Sequence, residues 1–584
     1  MHPSFPRRVL SGCALACLAL LAACDNPGGS GGPTPPRNVT ATAQTANTVR
    51  LTWTAVSGAT EYVVQRASAG ADYAEVGRPT ATTFDDAGLA PDTDYSYRVA
   101  SVVAGTATEF GTAVGVKTRA AGGAQVTLEG NITSSRTLYA DTVYVLRGYV
   151  KVRAGATLTI QPGTTIVGDT TALGSSLWIT RGGRIDARGT AAAPIVFTSQ
   201  RAAGNRKPGD WGGIVIVGRA YVNRSVTGGV AEIFTEGPAG TGQNTAENYG
   251  GGTDGNDDSG VMRYVRVEFA GYAVQQNEEL NSFSFYAVGR GTRLEYLQAL
   301  SGLDDSFEWF GGSVDGRYLV SYEAGDDHFD WTEGYSGRNQ FLIALQTWQP
   351  VPQTGAGTVA SDPRGFEGDG CEIAATKPGC GSYAQSPLSM PVFANFTLIG
   401  TGPGVFPGSI GLQSNGATLR RGTGGTFVNG VIARWQNIGL NVRDAATDGM
   451  RAADSLTIGN VVLAENAAGN YDPGDACTGT GSGGSCGVAA KYPGTTALAV
   501  GTSTLFTALP APGTVPTTAT LDWTPSAALT AAGTTTFSAR VSARVQGFFG
   551  GTMQGTAYAG AAPPSGADLR WWQGWTRYER GKTP

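Results

Sequence analysis

The sequence contains little charge and almost no histidine. Lys, Arg, Asp and Glu together make up 15% of its 584 residues, the formal net charge is −5, and there are two histidines. A mildly acidic chain of this kind has no electrostatic reason to bind nucleic acid. After the N-terminal 24 residues no run approaches the ~18 apolar residues of a spanning helix, and heptads of helix formers are absent. These absences argue against a nucleic-acid-binding protein, a helical membrane protein and a coiled coil.

Glycine is abundant, with 87 residues, but it follows no three-residue period, so a collagen-like chain is excluded. The remaining composition is rich in Thr, Val, Ala and aromatics, which favours short strands joined by tight turns. A chain of 584 residues is too long for one ordinary globular domain unless a repeat extends it along one axis. We therefore predict an all-β protein that contains a repeat.

The N-terminus has the features of an export signal. Residues 1–23 combine a basic pair with an apolar run, and residues 21–24 read "LAAC", which resembles the lipobox of bacterial lipoproteins. The resemblance implies that Cys24 becomes lipidated and that residues 24–33 form a flexible tether. We expect a membrane partner through this anchor, at the outer membrane or cell surface rather than the inner membrane. Asp25, which follows the cysteine, is a signal for the inner membrane in some bacteria and keeps that alternative open.

Four cysteines remain once the signal and the lipidated residue are set aside. They form two pairs, each separated by nine residues: Cys371 with Cys380, and Cys477 with Cys486. An even count in an exported chain predicts two local disulfides. A zinc site is the alternative, but the chain has no CxxC motif and a single histidine after the signal, so it is the weaker interpretation.

Residues 34–118 resemble a fibronectin type III domain. The matching features are Trp53 in "VRLTWTAV", Tyr62 in "TEYVVQRA", and the turn and alternating strand of "LAPDTDYSYRVASVV". Alternation of Tyr and Val in that strand indicates one buried face of a sandwich. Such modules serve as spacers or protein-binding platforms. Residues 119–125 are an Ala/Gly linker.

From residue 126 to 584, short β-branched runs closed by glycine turns recur every 20 to 30 residues. This period predicts a β-solenoid. The motifs "GATLTIQPGTTIVGD", "GDWGGIVIVGRA", "DPRGFEGDG", "LRRGTGG" and "WWQGWTRY" resemble a group of exported bacterial proteins and lipoproteins with a right-handed parallel β-helix of pectate-lyase-like architecture. The resemblance implies the fold and no established activity. We expect the C-terminal aromatic residues to cap the open end of the solenoid.

An acidic motif occurs twice in this region, as "DDSFEWFGG" from residue 304 and "DDHFDWTEG" from residue 326. If the 22-residue spacing is one coil, equivalent side chains stack about 4.8 Å apart. Phe307, Trp309, Phe329 and Trp331 share a parity and are predicted to point into the core. Glu308 and Asp330 take the opposite parity, with Ser306 and His328, and are predicted to face outward.

The stacked carboxylates require compensation, because two of them ~5 Å apart at an effective dielectric of ~20 repel by ~3 kcal/mol. One candidate is Ca²⁺, a hard cation that takes six to eight oxygens. Its predicted ligands are Asp304, Asp305, Asp326 and Asp327. The second is a ladder of salt bridges from Arg317 and Arg338, which follow glycines at nearly the same spacing. Solvation of an exposed acidic face is the third.

The functional prediction is a lipid-anchored envelope protein whose β-helix binds an extracellular ligand, either a polysaccharide or a surface protein. The predicted ligand-binding residues are Glu308, Asp330, Arg420 and Arg421. The alternatives are a polysaccharide lyase or glycoside hydrolase, and a structural or adhesive solenoid stabilised by Ca²⁺. The "GHG" and "RIK" motifs of polygalacturonases are missing. If the protein is an enzyme, the candidate catalytic residues are Asp305, Asp327, His328, Arg317 and Arg338. Flanking aspartates would raise the pKa of His328.

Overall fold

The computed structural model describes residues 34–68, 71–119, 125–227, 230–237, 249–275, 278–373, 379–402, 405, 413–474, 477, 486–517 and 520–578. The predicted signal peptide, Cys24, the tether and most of the linker lie outside these ranges. The chain divides into two compact units, Met1–Ala120 and Ala121–Pro584. Among the described residues, no helix is both long enough and apolar enough to cross a membrane.

The first unit is a β-sandwich. Its strands are β1 (Thr40–Ala43), β2 (Thr48–Thr52), β3 (Ala59–Ser68), β4 (Ala74–Gly77), β5 (Thr83–Ala87), β6 (Asp94–Val103), β7 (Thr106–Ala107) and β8 (Val114–Lys117). One sheet has the order β1-β2-β5, and the other has the order β4-β3-β6-β7 with β8 also on β6. Trp53 packs edge-on against Tyr62 at 5.2 Å between ring centroids, in a core that includes Tyr97 and Val99. This confirms the fibronectin type III prediction.

The second unit is a parallel β-helix built on one sheet of 24 strands, which confirms the predicted fold class. Its first strands are β9 (Gln125–Ile132), β10 (Arg136–Leu138), β11 (Val143–Val152), β12 (Thr157–Ile160), β13 (Thr165–Gly168), β14 (Ser176–Ile179), β15 (Arg184–Arg188), β16 (Ile195–Ser199) and β17 (Gly213–Val217). Three short hairpins interrupt the coils that follow: β18 (Ser225–Thr227) with β19 (Val230–Ala231), β20 (Ile233–Phe234) with β21 (Tyr249–Gly250), and β23 (Tyr272–Gln275) with β24 (Glu278–Leu280).

The later coils alternate between two columns of strands. The first column begins with β22 (Gly260–Glu268) and continues through β26 (Arg293–Leu300), β28 (Asp315–Tyr322), β30 (Arg338–Leu345), β32 (Val392–Ile399), β34 (Gly425–Ala433), β36 (Leu456–Ala464) and β38 (Gly494–Leu498). The second column holds β25 (Phe283–Tyr286), β27 (Phe307–Phe310), β29 (Phe329–Thr332), β31 (Phe366–Asp369), β33 (Ala417–Arg420), β35 (Ile438–Val442) and β37 (Gly469–Tyr471). We call this second column the groove column.

The remaining described elements follow or interrupt the last coils. They are α1 (Ala445–Ala452), β39 (Phe506–Ala508), β40 (Asp522–Pro525), α2 (Ala527–Thr530), α3 (Ala539–Arg544), β41 (Gln546–Phe548) and β42 (Gly551–Thr552), with 3-10 turns at Ala489–Lys491 and Thr502–Thr504.

The acidic motif has the predicted register. Strands β27 and β29 pair in parallel, with Phe307 opposite Phe329, Glu308 opposite Asp330 and Trp309 opposite Trp331. The Phe rings stack at 5.4 Å between centroids, and the side chains of Phe307, Trp309, Phe329 and Trp331 are all fully buried. The prediction that these residues form an aromatic core ladder is therefore confirmed.

The first column bends at one residue in each coil, and that residue has a positive φ. Tyr264, Tyr296, Tyr318 and Phe341 occupy this position in successive coils, with φ between 49° and 63°. Their rings stack at 4.3, 4.4 and 5.0 Å between centroids. Asparagines take over the same position further along, and this residue type tolerates the left-handed conformation. The stacked rings leave an aromatic ridge on the side of the solenoid.

The C-terminal aromatic residues pack on this ridge, so the predicted end cap is wrong. Trp571 lies 5.1 Å from Tyr318, and Trp575 lies 5.6 Å from Tyr264, measured between ring centroids. Arg266 on β22 donates to the backbone oxygen of Trp575 at 2.8 Å. The final segment thus returns along the side of the coils and covers β22, β26 and β28, where the stacked rings offer a large apolar surface.

Both predicted disulfides are formed. Cys371 is bonded to Cys380, with 6.1 Å between their Cα atoms, and Cys477 to Cys486, with 4.7 Å. Each bond closes a short loop after a strand of the groove column: β31 ends two residues before Cys371, and β37 ends six residues before Cys477. The bonds therefore restrain loops that border this column.

Candidate functional site

The groove column places a row of polar side chains outward, one per coil. The register aligns Ser284, Glu308, Asp330, Glu367 and Thr418 at equivalent positions of β25, β27, β29, β31 and β33. Alternation along each short strand sends the neighbouring Phe and Trp side chains inward, so the acids have no room in the core. The row is therefore a line of three carboxylates flanked by two hydroxyls.

Inserted hairpins turn this row into a groove of about 430 Å³. Ile233 and Phe234 of β20 form part of one wall, and Glu278 of β24, with the adjoining Glu279, contributes more charge. Among the described residues, ten acids line the groove: Glu236, Glu278, Glu279, Glu308, Asp326, Asp330, Glu333, Glu367, Asp369 and Glu372. Three arginines also line it: Arg224, Arg420 and Arg421. The excess of carboxylates makes the groove strongly negative.

Asp305 and Asp327 form a ladder that joins neighbouring coils. Asp305 donates its backbone N–H to Asn281 Oδ1 at 3.1 Å, and Asp327 donates its own to Asp305 Oδ1 at 2.8 Å. Arg364 continues the ladder by donating its backbone N–H to Asp327 Oδ1 at 2.6 Å. One oxygen of each aspartate therefore accepts a hydrogen bond from a buried backbone N–H of the next coil. This contact stabilises the stacking of the coils.

Five carboxylates converge beside this ladder in two groups that share one residue. Ligand oxygens of Asp304, Asp305 and Asp326 lie within 4.8 Å of one another, and so do those of Asp305, Glu308 and Asp330. Oδ1 of Asp326 and Oδ1 of Asp330 are buried and accept no hydrogen bond from the described residues, and Asp330 is only 9% exposed. Buried acceptors without partners are rare, and an oxygen-rich cluster of this kind has the chemistry that a hard divalent cation prefers.

The pKa values of the cluster reflect its burial. Burial is the largest cause and raises the pKa of Asp326 to about 7. Burial also raises the pKa of Asp330, where the charges of Glu367 and Asp369 add to it, and the pKa of Asp305, where Glu308 and Asp304 add to it. Burial and the neighbouring carboxylates disfavour the ionised form, and the charges of Arg364 on Asp326 and of Arg420 on Asp330 act against them without outweighing them. A bound cation would reverse this preference, because it stabilises the ionised carboxylates.

Arginines neutralise the other half of the groove. Arg420 forms ion pairs with Glu367 and Asp369, each at 2.8 Å, and Arg421 pairs with Asp369 at 2.6 Å. Burial acts to raise the pKa of Asp369, but the charges of these two arginines outweigh it and lower that pKa. Asp327 belongs to this half, because its Oδ2 pairs with Arg364 at 3.2 Å. It lies outside both converging groups.

Arg317 and Arg338 do not pair with the acidic motif. Arg317 forms its ion pair with Glu295, which is its register partner on β26. The Nε of Arg338 donates to Asp315 at 2.9 Å. Both arginines lie on strands of the first column. Both columns repeat about every 22 residues here, so the spacing alone could not show on which column the arginines lie. The arginine ladder predicted for the repeat is therefore wrong in its residues, since Arg364 pairs with Asp327 and Arg224 with Glu333 of the second copy.

His328 is in the interior and not in the groove. Its side chain is fully buried, its Nδ1 lies 2.6 Å from Ser321 Oγ, and its ring stands edge-on to Trp435 at 6.0 Å. Burial lowers its pKa to about 3, so the prediction of a raised pKa is wrong. Ser306, one coil earlier, is also fully buried and accepts a hydrogen bond from Ser321 at 2.6 Å. Both residues precede their strands, where the chain bends and the outward parity no longer applies.

The structure brings together the four predicted ligand-binding residues and three of the four predicted cation ligands. Glu308, Asp330, Arg420 and Arg421 all line the groove. Sequence reasoning missed the acids of the hairpins and Arg364, because these residues lie in insertions that break the coil period. In a chain with so few charged residues, the adjacent pair Glu278 and Glu279 was the sequence feature that could have indicated a further acidic part of the site.

The family to which the chain belongs follows from its similarity to known sequences. A family described as "Pectate-lyase like beta helix domain" matches residues 130–479, and the fibronectin type III domain matches residues 34–116. The first match covers more than half of the chain. The protein therefore belongs to the pectate-lyase-like β-helix family and carries an N-terminal fibronectin type III domain.

Solved structures resemble a small part of the chain. An Fn3-like protein from Clostridium thermocellum is 32% identical and matches over 14% of this chain and 90% of its own, with a TM-score of 0.14. The fn3 domain of the human collagen alpha-1(XX) chain is 31% identical over 17% of this chain and 96% of its own, with a TM-score of 0.15. The match to "Titin kinase and its flanking domains", 25% identical over 15% of this chain, covers 17% of that structure, with a TM-score of 0.14. No curated protein matches the chain.

Proposed function

We propose that this protein is a lipid-anchored envelope protein whose β-helix binds a divalent cation, with Ca²⁺ as the candidate, and an extracellular polysaccharide in the same groove. The convergence of Asp305, Glu308 and Asp330, with a buried oxygen of Asp330 that has no partner in the described part of the chain, is the observation that carries this proposal. Burial of like charges at this spacing is unfavourable, and a cation would offset that cost.

The arginines of the groove compensate the converging acids only in part: the charge of Arg420 lowers the pKa of Asp330 and of Asp326, but its ion pairs are with other acids. Arg224 is paired with Glu333 at 2.6 Å, and Arg420 and Arg421 are paired with Glu367 and Asp369. An anionic ligand would therefore meet an excess of carboxylates. A bound divalent cation would change the sign of the local charge and leave coordination positions for sugar hydroxyls or uronate carboxylates.

Two further observations support a polysaccharide as the ligand. The groove runs along stacked coils, so its length suits a linear polymer, and Phe234 and Phe310 add aromatic surface to its lining. Membership of the pectate-lyase-like family is consistent with a polysaccharide-related function. An envelope position would place the groove where such polymers occur.

Calorimetric titration tests the cation. After treatment with EGTA, the wild type should bind Ca²⁺ in a saturable way, and Asp330→Asn and Glu308→Gln should each weaken binding at least tenfold. Asp186→Asn is the matched control, because Asp186 lies on β15 and pairs with Arg188. Absence of saturable binding, or equal affinity in Asp330→Asn, would show that the cluster is not a cation site.

Retention on immobilised polygalacturonate, with dextran as the neutral control, tests the ligand. We expect binding in Ca²⁺ that is lost in EGTA and in Asp330→Asn. Binding that persists in both would contradict bridging by a cation. If no acidic or neutral polymer binds while Ca²⁺ still does, the polysaccharide part of the proposal fails and the cation part stands.

Catalysis is the second candidate function, and one observation favours it. Asp326, with a pKa of about 7, and Asp369, with a lowered pKa, line the same groove. Carboxyl groups whose pKa values are pushed apart are typical of a general acid and its ionised partner. Release of reducing ends or unsaturated uronates, and its loss in Asp326→Asn, is the test. A turnover rate that Asp326→Asn leaves unchanged would remove this residue from the chemistry.

The lipid anchor rests on the sequence around Cys24. We expect the wild type to partition with membranes and to incorporate labelled palmitate, and Cys24→Ser to do neither. Labelling of intact cells with a reagent that does not cross the membrane would then distinguish the cell surface from an inward-facing position.

A further inference from the structure

A second pocket is lined by positively charged residues and shares no lining residue with the acidic groove. It has a volume of about 440 Å³ and lies between α3 and the turn around Asp454. Arg540 and Arg544 line it together with the hydroxyl-bearing residues Thr426, Ser455, Thr457 and Ser538. Because Arg540 and Arg544 are four residues apart on α3, they share one face of that helix.

Neither guanidinium has an acidic partner among the residues that the structure describes. Arg540 donates to the backbone oxygens of Ala453 and Asp454, at 3.1 and 2.8 Å, and to Ser455 Oγ at 2.9 Å. The Arg544 side chain forms no hydrogen bond or ion pair within the described part of the chain. Asp454 is the one carboxylate of the described lining, and it forms no ion pair with either arginine.

Further positive charge surrounds Arg544. Burial lowers its pKa to about 10, and the charges of Arg290, Arg540 and Arg338 act in the same direction. Arg338 contacts the same helix, since its Nη1 donates to the Arg544 backbone oxygen at 3.1 Å, while its own charge is paired with Asp315. The charge of Asp315 acts on both Arg338 and Arg290, so Arg540 and Arg544 are the two of these four arginines that lack a carboxylate partner among the described residues.

We propose that this pocket binds an oxyanion, a sulfate or phosphate group, with Arg544 as its principal partner. A guanidinium recognises such groups through two parallel N–H donors, and its desolvated charge is stabilised by an anion. Ser538 Oγ accepts the backbone N–H of Val541 at 3.4 Å and keeps its own proton available as a further donor. The lining of this pocket shares no residue with that of the acidic groove, so the two proposals can be tested separately.

Thermal melting in sodium sulfate and sodium phosphate, compared with sodium chloride at matched ionic strength, tests the proposal. Sulfate or phosphate should raise the Tm of the wild type in a saturable way, and Arg544→Gln should weaken the apparent affinity at least tenfold. Arg544→Lys should retain part of the response, and Arg188→Gln, an exposed arginine paired with Asp186 on β15, should retain all of it.

Melting in chloride alone keeps the experiment interpretable. Arg544→Gln removes one positive charge that lies near those of Arg290, Arg338 and Arg540, so its Tm in chloride should equal or exceed that of the wild type. A loss of the response to sulfate or phosphate then cannot be ascribed to unfolding. A comparison of dextran sulfate with dextran and with inorganic sulfate identifies the source of the group as a polymer or a free ion. An equal response in wild type and Arg544→Gln, or no response beyond that of chloride, would overturn the proposal.

Discussion

Asp305 Oδ1 accepts the backbone N–H of Asp327 at 2.8 Å, one coil further along the helix. The same aspartate belongs to both groups of converging carboxylates. One side chain therefore joins the coils and supplies negative charge to the candidate cation site. Substitution can separate these two roles, because the first needs a hydrogen-bond acceptor and the second needs a negative charge.

Asp305→Asn and Asp305→Ala should have opposite effects on stability in EGTA. Asn keeps an oxygen acceptor for the Asp327 N–H and removes a charge from a crowded cluster, so its Tm should equal or exceed that of the wild type. Ala leaves a buried N–H without a partner, which costs about 1–3 kcal/mol. Both should weaken Ca²⁺ binding. Melting curves in EGTA and calorimetry with Ca²⁺ measure the two properties, and equal stability of the two variants would contradict the ladder.

The raised pKa of Asp326 predicts a pH-dependent stability. Its pKa is about 7 in the folded protein and 3.8 as a free side chain, so the native state holds a proton that the unfolded chain has lost. Stability should therefore fall as pH rises from about 4 to about 7, in EGTA. Asp304, Asp305 and Asp330, whose pKa values burial also raises, act in the same direction.

Ca²⁺ should reverse this dependence, because it binds the ionised carboxylates and its affinity rises with pH. Asp326→Asn should flatten the fall in Tm between these pH values, and Asp186→Asn should not. The measurement is Tm against pH, with EGTA and with Ca²⁺. A Tm that is constant or rises over this range in EGTA would show that these acids are ionised without a cation.

The sequence predicted the parts of the fold that repeat and missed the parts that do not. The pairing of Phe307 with Phe329 followed from a 22-residue spacing, since one coil of a solenoid repeats the same pattern. The next step, from Phe329 to Phe366, spans 37 residues and carries an insertion. The partner of Asp327, Arg364, lies in that insertion, so no period could reveal it.

The alternation of inward and outward side chains also predicted correctly only within the regular strands. It placed Glu308 and Asp330 correctly because both lie within strands, and it failed for His328 because that residue precedes one. The location of Trp575 was beyond reach for a different reason. Its contacts on the flank of the solenoid depend on the stacked tyrosines of three coils, a tertiary arrangement that no local pattern encodes.

Gly368 is required by the core and not by the backbone. A Cβ at this position would lie 2.1 Å from the Trp331 ring, so Gly368→Ala should destabilise the β-helix by about 1–3 kcal/mol. Gly449 is the matched control, because it lies in α1 and a Cβ there would have no neighbouring atom within 4 Å, so Ala should stabilise by about 1 kcal/mol. Denaturant melts followed by tryptophan fluorescence measure both. An unchanged midpoint for Gly368→Ala would mean that the Trp331 ring can move aside.

The C-terminal segment should act as a clamp on the flank of the β-helix. Trp575 is fully buried against Tyr264 and Tyr296, so Trp575→Ala should lower stability by about 3–5 kcal/mol and expose the segment to proteases. Trp348 is 36% exposed, and Trp348→Ala provides the control with a much smaller expected loss. Thermal melting and limited proteolysis measure the two effects.

Because the clamp covers β22, β26 and β28 on the first column and leaves the groove column free, Ca²⁺ affinity should be unchanged in Trp575→Ala below its melting transition. A loss of Ca²⁺ binding under those conditions would show that the flank and the groove are coupled through the coils they share.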